Sequence, residues 1–247
     1  MRTVSLSARE FDAWLDEAGL PASSADIARH TGRRYSTITT QRFRSRITED
    51  VVVKLSRSFQ LDPLTALAYF EPYQGLDVDR RPPSTAELIS QLAHNDLLVE
   101  LLSRNKADLA RLLGANYLIS PIPHPDGIRK WIDAIDPGNI RSEMSARSGI
   151  ATTNLSTLMS ENKLSPDLVI LAASIADVSP LGGLVVSGLL TPEEAGWPAQ
   201  GRENALRDLE DLALLDLMDQ RLKSLRRRLK KKIDSQDTAQ ALWETLG

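Results

Sequence analysis

The chain of 247 residues contains no cysteine. Without thiols there is no disulfide framework and no thiolate metal site. Long hydrophobic runs are also missing, since none approaches the roughly 18 consecutive apolar residues of a membrane-spanning helix. The first residues lack the apolar core of a signal peptide, so we expect no export and a cytoplasmic location. The hydrophobic share of 42% and the charged share of 26% are ordinary for a globular protein.

The residues that usually carry catalysis are sparse or scattered. The three histidines, His30, His94 and His124, lie far apart and lack metal-ligand spacing. The pair Gly182-Gly183 is not followed by the lysine and hydroxyl residue of a phosphate-binding loop, so we expect it to serve close helix packing. The sequence carries no nucleophile–base signature. We therefore expect neither an enzyme nor a protein that binds a cofactor or a metal.

Two stretches of the chain resemble each other after a shift of 117 residues. The match runs without gaps from Phe11 to Leu67 and pairs apolar positions with apolar positions. Its pairs include Trp14 with Trp131, Ile27 with Met144, Gly32 with Gly149, Ile38 with Leu155 and Ile47 with Leu164. Such an internal repeat predicts two copies of one structural unit.

Each copy is predicted to form about five short helices, because its apolar residues recur at helical spacing. Ser7 and Glu10 form a capping box before the first helix, and Gly32 ends the second. The third helix is predicted at about 36–43, the fourth at about 50–59 and the fifth from Pro63 onward. The fold class is therefore all-α, with two homologous five-helix domains.

The remaining segments are expected to connect these domains. We expect the first domain at residues 1–70, a linker with connecting helices at 71–124, the second domain at 125–190, and a linker with a charged C-terminal helix at 191–247. Residues 71–83 hold three prolines and are predicted to be an exposed link. Ser84 and Glu87 form a further capping box, which begins the connecting helices.

Residues 203–233, from Glu203 to Ile233, are predicted to form one long helix. Its seam of Leu215, Met218, Leu222, Leu225 and Leu229 has the 3-4-3-4 spacing of a coiled coil. Residues 203–219 contain six acidic residues and one basic residue, whereas 221–232 contain eight basic residues and none acidic. Three interpretations remain open: a solvated charged helix, a homodimer that pairs acidic with basic halves in antiparallel fashion, or a basic end that contacts DNA phosphates.

A helix, a short turn with a small residue and a second helix form the helix-turn-helix pattern. The run from Ile27 to Thr39, IARHTGRRYSTIT, resembles the Cro/C1-type phage repressor family, and the run from Met144 to Ser156, MSARSGIATTNLS, resembles it again. The resemblance covers roughly residues 7–70 and 125–187, about half of the chain. It implies a sequence-specific regulator of transcription that binds double-stranded DNA, in particular a repressor of the phage-immunity type, located at the nucleoid.

In such a regulator the recognition helix keeps apolar residues inward and turns short polar side chains toward base edges. The predicted base contacts are Tyr35, Ser36, Thr37, Thr39 and Thr40 in the first copy and Thr152, Thr153, Asn154, Ser156 and Thr157 in the second. The predicted phosphate contacts are Arg33, Arg34, Arg42, Arg44 and Arg46 in the first copy and Lys163 in the second. Gln41 and Arg42 stand where apolar residues are expected, so the sequence leaves open whether the first recognition helix ends early or rotates.

Charge separates the two copies. The interval from Arg29 to Arg57 holds eight basic and two acidic residues in a chain of net charge −3. The interval 146–174 holds two of each. Because phosphate neutralisation supplies much of the affinity for DNA, we expect the first copy to read DNA and leave open whether the second also does. The alternative function is a protein-interaction adaptor or an antitoxin that keeps the fold without specific DNA reading.

Overall fold

The computed structural model of the chain describes residues 6–106, 108, 111 and 117–246, without the side chains of 231–232 and 235–246. These residues form an all-helical protein, as predicted. Leu6 and Ile47 make an isolated antiparallel bridge. Within the described ranges, every helix is too short or too polar to cross a lipid bilayer.

The first five helices have bounds close to the predicted ones. They are α1 (Ala8–Glu17), α2 (Ser24–Thr31), α3 (Tyr35–Phe43), α4 (Glu49–Ser58) and α5 (Pro63–Ala68). The capping box of Ser7 and Glu10 is present at the start of α1. Gly32 ends α2 with φ of 65°, the left-handed conformation that glycine adopts without strain.

Further helices follow up to residue 186 in the described part of the chain. They are α6 (Thr85–Ser90), α7 (His94–Asn105), α8 (Gly127–Ile135), α9 (Ile140–Ser148), α10 (Thr152–Ser160), α11 (Pro166–Ala176) and α12 (Pro180–Val186). After a shift of 117 residues, α10, α11 and α12 begin at the positions where α3, α4 and α5 begin. Under the same shift α8 and α9 begin within two residues of α1 and α2.

The chain divides into two compact units with boundaries other than the predicted domain limits. One unit comprises residues 1–91 and 121–201, and the other comprises 92–120 and 202–247. Helices α1–α6 and α8–α12 therefore share one unit, which we call the repeat unit. We call the other the C-terminal unit, and it includes α7.

Matched apolar residues form the core around each helix-turn-helix segment. Ile27, Ile38 and Ile47 are buried in the first copy, and Met144, Leu155 and Leu164 in the second. Removing an aliphatic side chain of this size from water contributes about 1.5–3 kcal/mol. The pairing of apolar positions that the sequence repeat predicted is therefore also a pairing of core positions.

Trp131 lies at the centre of the repeat unit. It is fully buried, and its indole Nε1 donates a hydrogen bond of 2.9 Å to Oε1 of the buried Glu87. Glu87 also completes the predicted capping box with Ser84. Gly182 and Gly183 of α12 face this pair, which confirms their predicted role in close packing.

We expect Gly183→Ala to lower the free energy of unfolding by about 2 kcal/mol, because overpacking a filled core costs about 1–3 kcal/mol. A β-carbon at this position would lie 2.2 Å from Cγ1 of Val169 and 2.6 Å from Cη2 of Trp131. Gly201→Ala is the matched control, since its β-carbon would lie 3.4 Å from the nearest atom, in Pro198. Urea denaturation of both variants measures the difference, and equal stabilities would contradict the packing.

The predicted exposure of residues 71–83 is wrong in part. Tyr73 and Leu76 are buried. The Tyr73 hydroxyl donates a hydrogen bond of 2.5 Å to Oε1 of Glu49, at the start of α4. Residues 71–83 therefore pack on the first copy, because the ring of Tyr73 and the side chain of Leu76 are shielded from water there.

The prediction of one long C-terminal helix is also wrong. The chain forms α13 (Gly201–Arg207) and α14 (Asp211–Leu246), with a break between them. The guanidinium of Arg104 donates to the carbonyl oxygens of Leu206, Arg207 and Leu209 and lies 2.8 Å from a carboxylate oxygen of Asp211. The side chain of Arg104, from a distant part of the sequence, thus donates hydrogen bonds to carbonyl groups that have no helical partner because the helix is interrupted here.

The predicted coiled-coil seam is divided between two environments. Helix α14 packs on α7, and Met218 is buried within the C-terminal unit together with Leu214. Leu215, Leu222 and Leu229, which recur every seven residues, remain about half exposed.

Candidate nucleic-acid interface

Helix α3 continues to Phe43 without ending early, although a cation occupies its second inward position. The Arg42 guanidinium lies 5.8 Å from the centre of the Phe11 ring. It donates a hydrogen bond of 2.6 Å to Oδ1 of Asp12 and one of 3.1 Å to Oγ of Ser24. Cation–π and ionic contacts to α1 and α2 thus replace the expected apolar packing. Arg42, a predicted phosphate contact, is engaged inside its own copy.

Gln41 has a structural position at the other edge of α3. Its side-chain amide exchanges two hydrogen bonds of 3.3 Å with the backbone N–H and the hydroxyl of Thr48. Thr48 is the N-cap residue of α4, and its own side chain forms no capping bond. Gln41 therefore links the end of α3 to the start of α4.

The opposite face of α3 is open to solvent. Tyr35 is 60% exposed, and Ser36 and Thr40 are also exposed. Thr37 and Thr39 are half-buried at the margins. The Thr39 hydroxyl donates to backbone carbonyl oxygens of the preceding turn, which leaves its lone pairs free to accept.

Phe43 belongs to the same face, and the sequence-based set of contacts omitted it. It is 92% exposed, and it follows Ser36 by seven residues and Thr40 by three. Residues with these spacings share one side of a helix. The spacing alone was thus sufficient to place Phe43 on this face, but an aromatic residue near a core motif is normally assigned to the core.

Three arginines stand at the two ends of α3 without a partner among the described residues. Arg34 is the N-cap residue, Arg44 is the C-cap residue, and Arg46 follows in the loop. All three are exposed. The loop that carries Arg44 and Arg46 is held by the Leu6–Ile47 bridge and by a hydrogen bond of 3.0 Å from the Ala8 N–H to the Ser45 hydroxyl.

The acidic residues near α3 are occupied elsewhere. The carboxylate of Asp50 accepts a hydrogen bond of 2.9 Å from Nε of Arg33 and lies 3.3 Å from Nζ of Lys54. Burial raises the pKa of Glu49 and outweighs the hydrogen bond from Tyr73, which lowers it. Arg33 is therefore partly neutralised, whereas Arg34, Arg44 and Arg46 keep their full positive charge.

Helix α10 of the second copy presents a comparable polar face. Its five predicted base contacts are all exposed: Thr152, Thr153, Asn154, Ser156 and Thr157. The hydroxyls of Ser156 and Thr157 donate to carbonyl oxygens one turn earlier, again leaving acceptor lone pairs. Lys163, the predicted phosphate contact, is exposed but lies 2.9 Å from a carboxylate oxygen of Glu161.

Two arginines that lie outside the sequence interval 146–174 are placed beside α10 by the fold. Arg129 of α8 and Arg141 of α9 line a groove of about 580 Å³ together with Ser156 and Thr157. Both cations face Asp133: Arg141 forms an ion pair with it, and Nε of Arg129 lies 3.9 Å from its carboxylate. Positive charge is present at the second copy, but it is largely neutralised within the protein.

The histidines occupy separate places. His30 lies 2.8 Å from the Ser58 hydroxyl, and its ring contacts the Phe59 ring in a tilted arrangement. His124 is buried beside Pro125. His94 begins α7. No group of three metal-ligating side chains occurs in the part of the chain that the structure describes.

Comparisons with known proteins do not assign the chain to a family. No family model matches the chain, and neither a curated protein nor a solved structure is significantly similar to it. The similarity to Cro/C1-type repressors therefore rests on the residues of the two helix-turn-helix runs.

Proposed function

We propose that this protein is a sequence-specific regulator of transcription that binds double-stranded DNA by inserting α3 into the major groove. The observation that carries the proposal is the exposed polar face of α3, which unpaired arginines flank at both ends. A major groove about 12 Å wide admits an α-helix, and hydroxyl groups can donate to or accept from base edges. Ser36, Thr40 and Tyr35 are assigned to the bases.

Arg34, Arg44 and Arg46 are assigned to phosphates on the two sides of the groove. Neither neighbouring carboxylate forms an ion pair with them, so their charge is available to phosphates. The first turn of α3 has no side-chain cap, so its backbone N–H groups and the helix dipole add to the attraction for a phosphate. These contacts supply affinity and register, whereas the hydroxyl face supplies specificity.

We further propose that the two stretches are homologous Cro/C1-type helix-turn-helix domains and that the first is the main DNA reader. In support, α10 has the polar face of a recognition helix, but Arg129, Arg141 and Lys163 are each paired with an acidic residue. The proposed action is repression by occupying the operator, which requires no catalysis.

Selection of bound sequences from a random DNA pool tests this function. We expect a defined motif whose binding weakens steeply with salt, by about 0.9 log units per phosphate contact for each log unit of salt. A palindromic footprint of two identical half-sites assigns reading to α3 alone, one from each chain of a dimer, whereas a longer asymmetric footprint adds α10. Failure to enrich any sequence, with flat salt dependence, would favour the adaptor alternative instead.

We also propose that α14 joins two copies of the chain in antiparallel fashion. Leu215, Leu222 and Leu229 leave an apolar stripe exposed, and Ile233 extends it. The acidic residues of α14 at positions 211, 216 and 219 and the basic residues of 221–232 then face each other twice. A second copy is the partner that fits, because its charge pattern is complementary by construction when the helices run in opposite directions.

We expect the wild-type chain to sediment at twice the monomer mass and the double variant Leu222→Asp, Leu229→Asp at the monomer mass. Two buried carboxylates in an apolar interface would cost several kcal/mol. Leu118→Asp is the control, since Leu118 is an exposed leucine outside the stripe. A monomeric wild type, or a double variant that remains dimeric, contradicts this assembly.

A further inference from the structure

The outward face of α3 ends in an exposed aromatic ring. Phe43 is 92% exposed, more than the other large hydrophobic side chains of the described repeat unit. Burying a phenylalanine in the protein normally contributes about 1.5–3 kcal/mol, so its position here gives up folding stability. One exposed hydrophobic side chain does not by itself indicate a ligand, but Phe43 lies on the face of α3 that carries the hydroxyl groups assigned to bases, where it can contact an apolar group of the DNA.

The position of the Phe43 ring limits which group of the ligand it can contact. Phe43 lies in the last turn of α3, between the inward Arg42 and the unpaired C-cap residue Arg44. It shares its face with Ser36 and Thr40, the residues assigned to base edges. A duplex that places those hydroxyls against bases therefore also meets the ring at the C-terminal end of α3, beside Arg44, which is assigned to a phosphate.

We infer that Phe43 contacts the C5-methyl group of a thymine at the end of the recognised site. This inference rests on the proposed function and specifies the base read by the last turn of α3. The methyl group of thymine is the apolar feature that the major groove presents, and phenylalanine is among the side chains that contact it. Phe43 would thus add specificity for thymine over cytosine, while the hydroxyls of α3 read hydrogen-bonding groups.

The test replaces each thymine of the selected site, one at a time, by deoxyuridine, which lacks only the methyl group. We expect the wild-type protein to lose about 4- to 10-fold in affinity at one position or at two adjacent positions. Phe43→Ala should bind the unmodified site more weakly by a similar factor and should be indifferent to deoxyuridine there. Because the side chain is exposed, the substitution should leave the unfolding temperature nearly unchanged.

Tyr69→Ala is the matched control, since Tyr69 is an exposed aromatic residue at the C-cap of α5 and lies outside α3. It should keep the full sensitivity of the wild type to deoxyuridine. If Phe43→Ala also keeps that sensitivity, or if no thymine position responds in the wild type, the inference is overturned while DNA binding by α3 stands. If the wild type binds no DNA sequence, the inference and the proposed function both fall.

Discussion

Replacing Arg34, Arg44 and Arg46 together by alanine is expected to weaken DNA binding by on the order of 1,000-fold or more, since hydrogen bonds to charged groups contribute about 1.5 kcal/mol or more each. All three side chains are exposed and unpaired among the described residues, so the change removes no internal ion pair. The dependence of binding on salt should become shallower by about three in slope. A mobility-shift titration at several salt concentrations measures both effects.

The control for this triple variant is Arg207→Ala, which removes an exposed arginine from the C-terminal unit. Its affinity and its salt slope should match those of the wild type. A triple variant with an unchanged slope would show that these arginines do not contact phosphates, whatever the affinity. Arg42→Ala should act differently, because loss of its bond to Asp12 affects the packing of α3 on α1.

Replacing Trp131 by alanine is expected to lower the free energy of unfolding by about 3–5 kcal/mol. The ring is fully buried, and the cavity left behind adds to the loss of apolar contact. The Glu87 carboxylate also loses its indole partner. The unfolding temperature should fall by about 10 °C, given roughly 2–4 °C per kcal/mol for a chain of this size.

Trp131→Phe separates the two causes, because it keeps an aromatic ring and removes the N–H donor. We expect it to cost about 1–2 kcal/mol, most of it because Oε1 of Glu87 loses its donor, while Ser84 still donates to Oε2. A loss below about 1 kcal/mol for Trp131→Ala would be too small for a fully buried tryptophan. Thermal unfolding followed by circular dichroism gives both values.

Local signals in the sequence were sufficient to predict most of the helices. The capping boxes at Ser7 and Ser84 and the glycine at position 32 act within a few residues, so their effect can be read without knowing the fold. The sequence also predicted that core positions such as Ile38 and Leu155 correspond to each other, because helical spacing fixes which face of a helix is buried.

Features that depend on distant residues could not be predicted. The break before α14 has no proline or glycine and is instead stabilised by Arg104, about 100 residues earlier in the chain. The inward position of Arg42 depends on Asp12 and Ser24, which only the folded chain brings together. Sequence patterns report local preference, whereas these contacts are made by tertiary structure.

The charge around α10 shows the same limit. A contiguous window around α10 has no net charge, yet Arg129 and Arg141 reach the groove from two other helices. The fold also adds Asp133 and Asp136, which pair with them. The balance of charge at a surface therefore requires the three-dimensional arrangement, and it favours the first copy as the DNA reader.

The most direct test of the central claim uses the absence of cysteine, because Thr40→Cys introduces a single thiol on the outward face of α3. A DNA-cleaving iron chelate attached to this thiol should cut the selected duplex inside the motif, and the cuts should span only a few base pairs. The same reagent at Asn95→Cys, on α7, should not cut there. If the Thr40 conjugate binds the site but leaves the motif uncut, α3 does not lie in the groove.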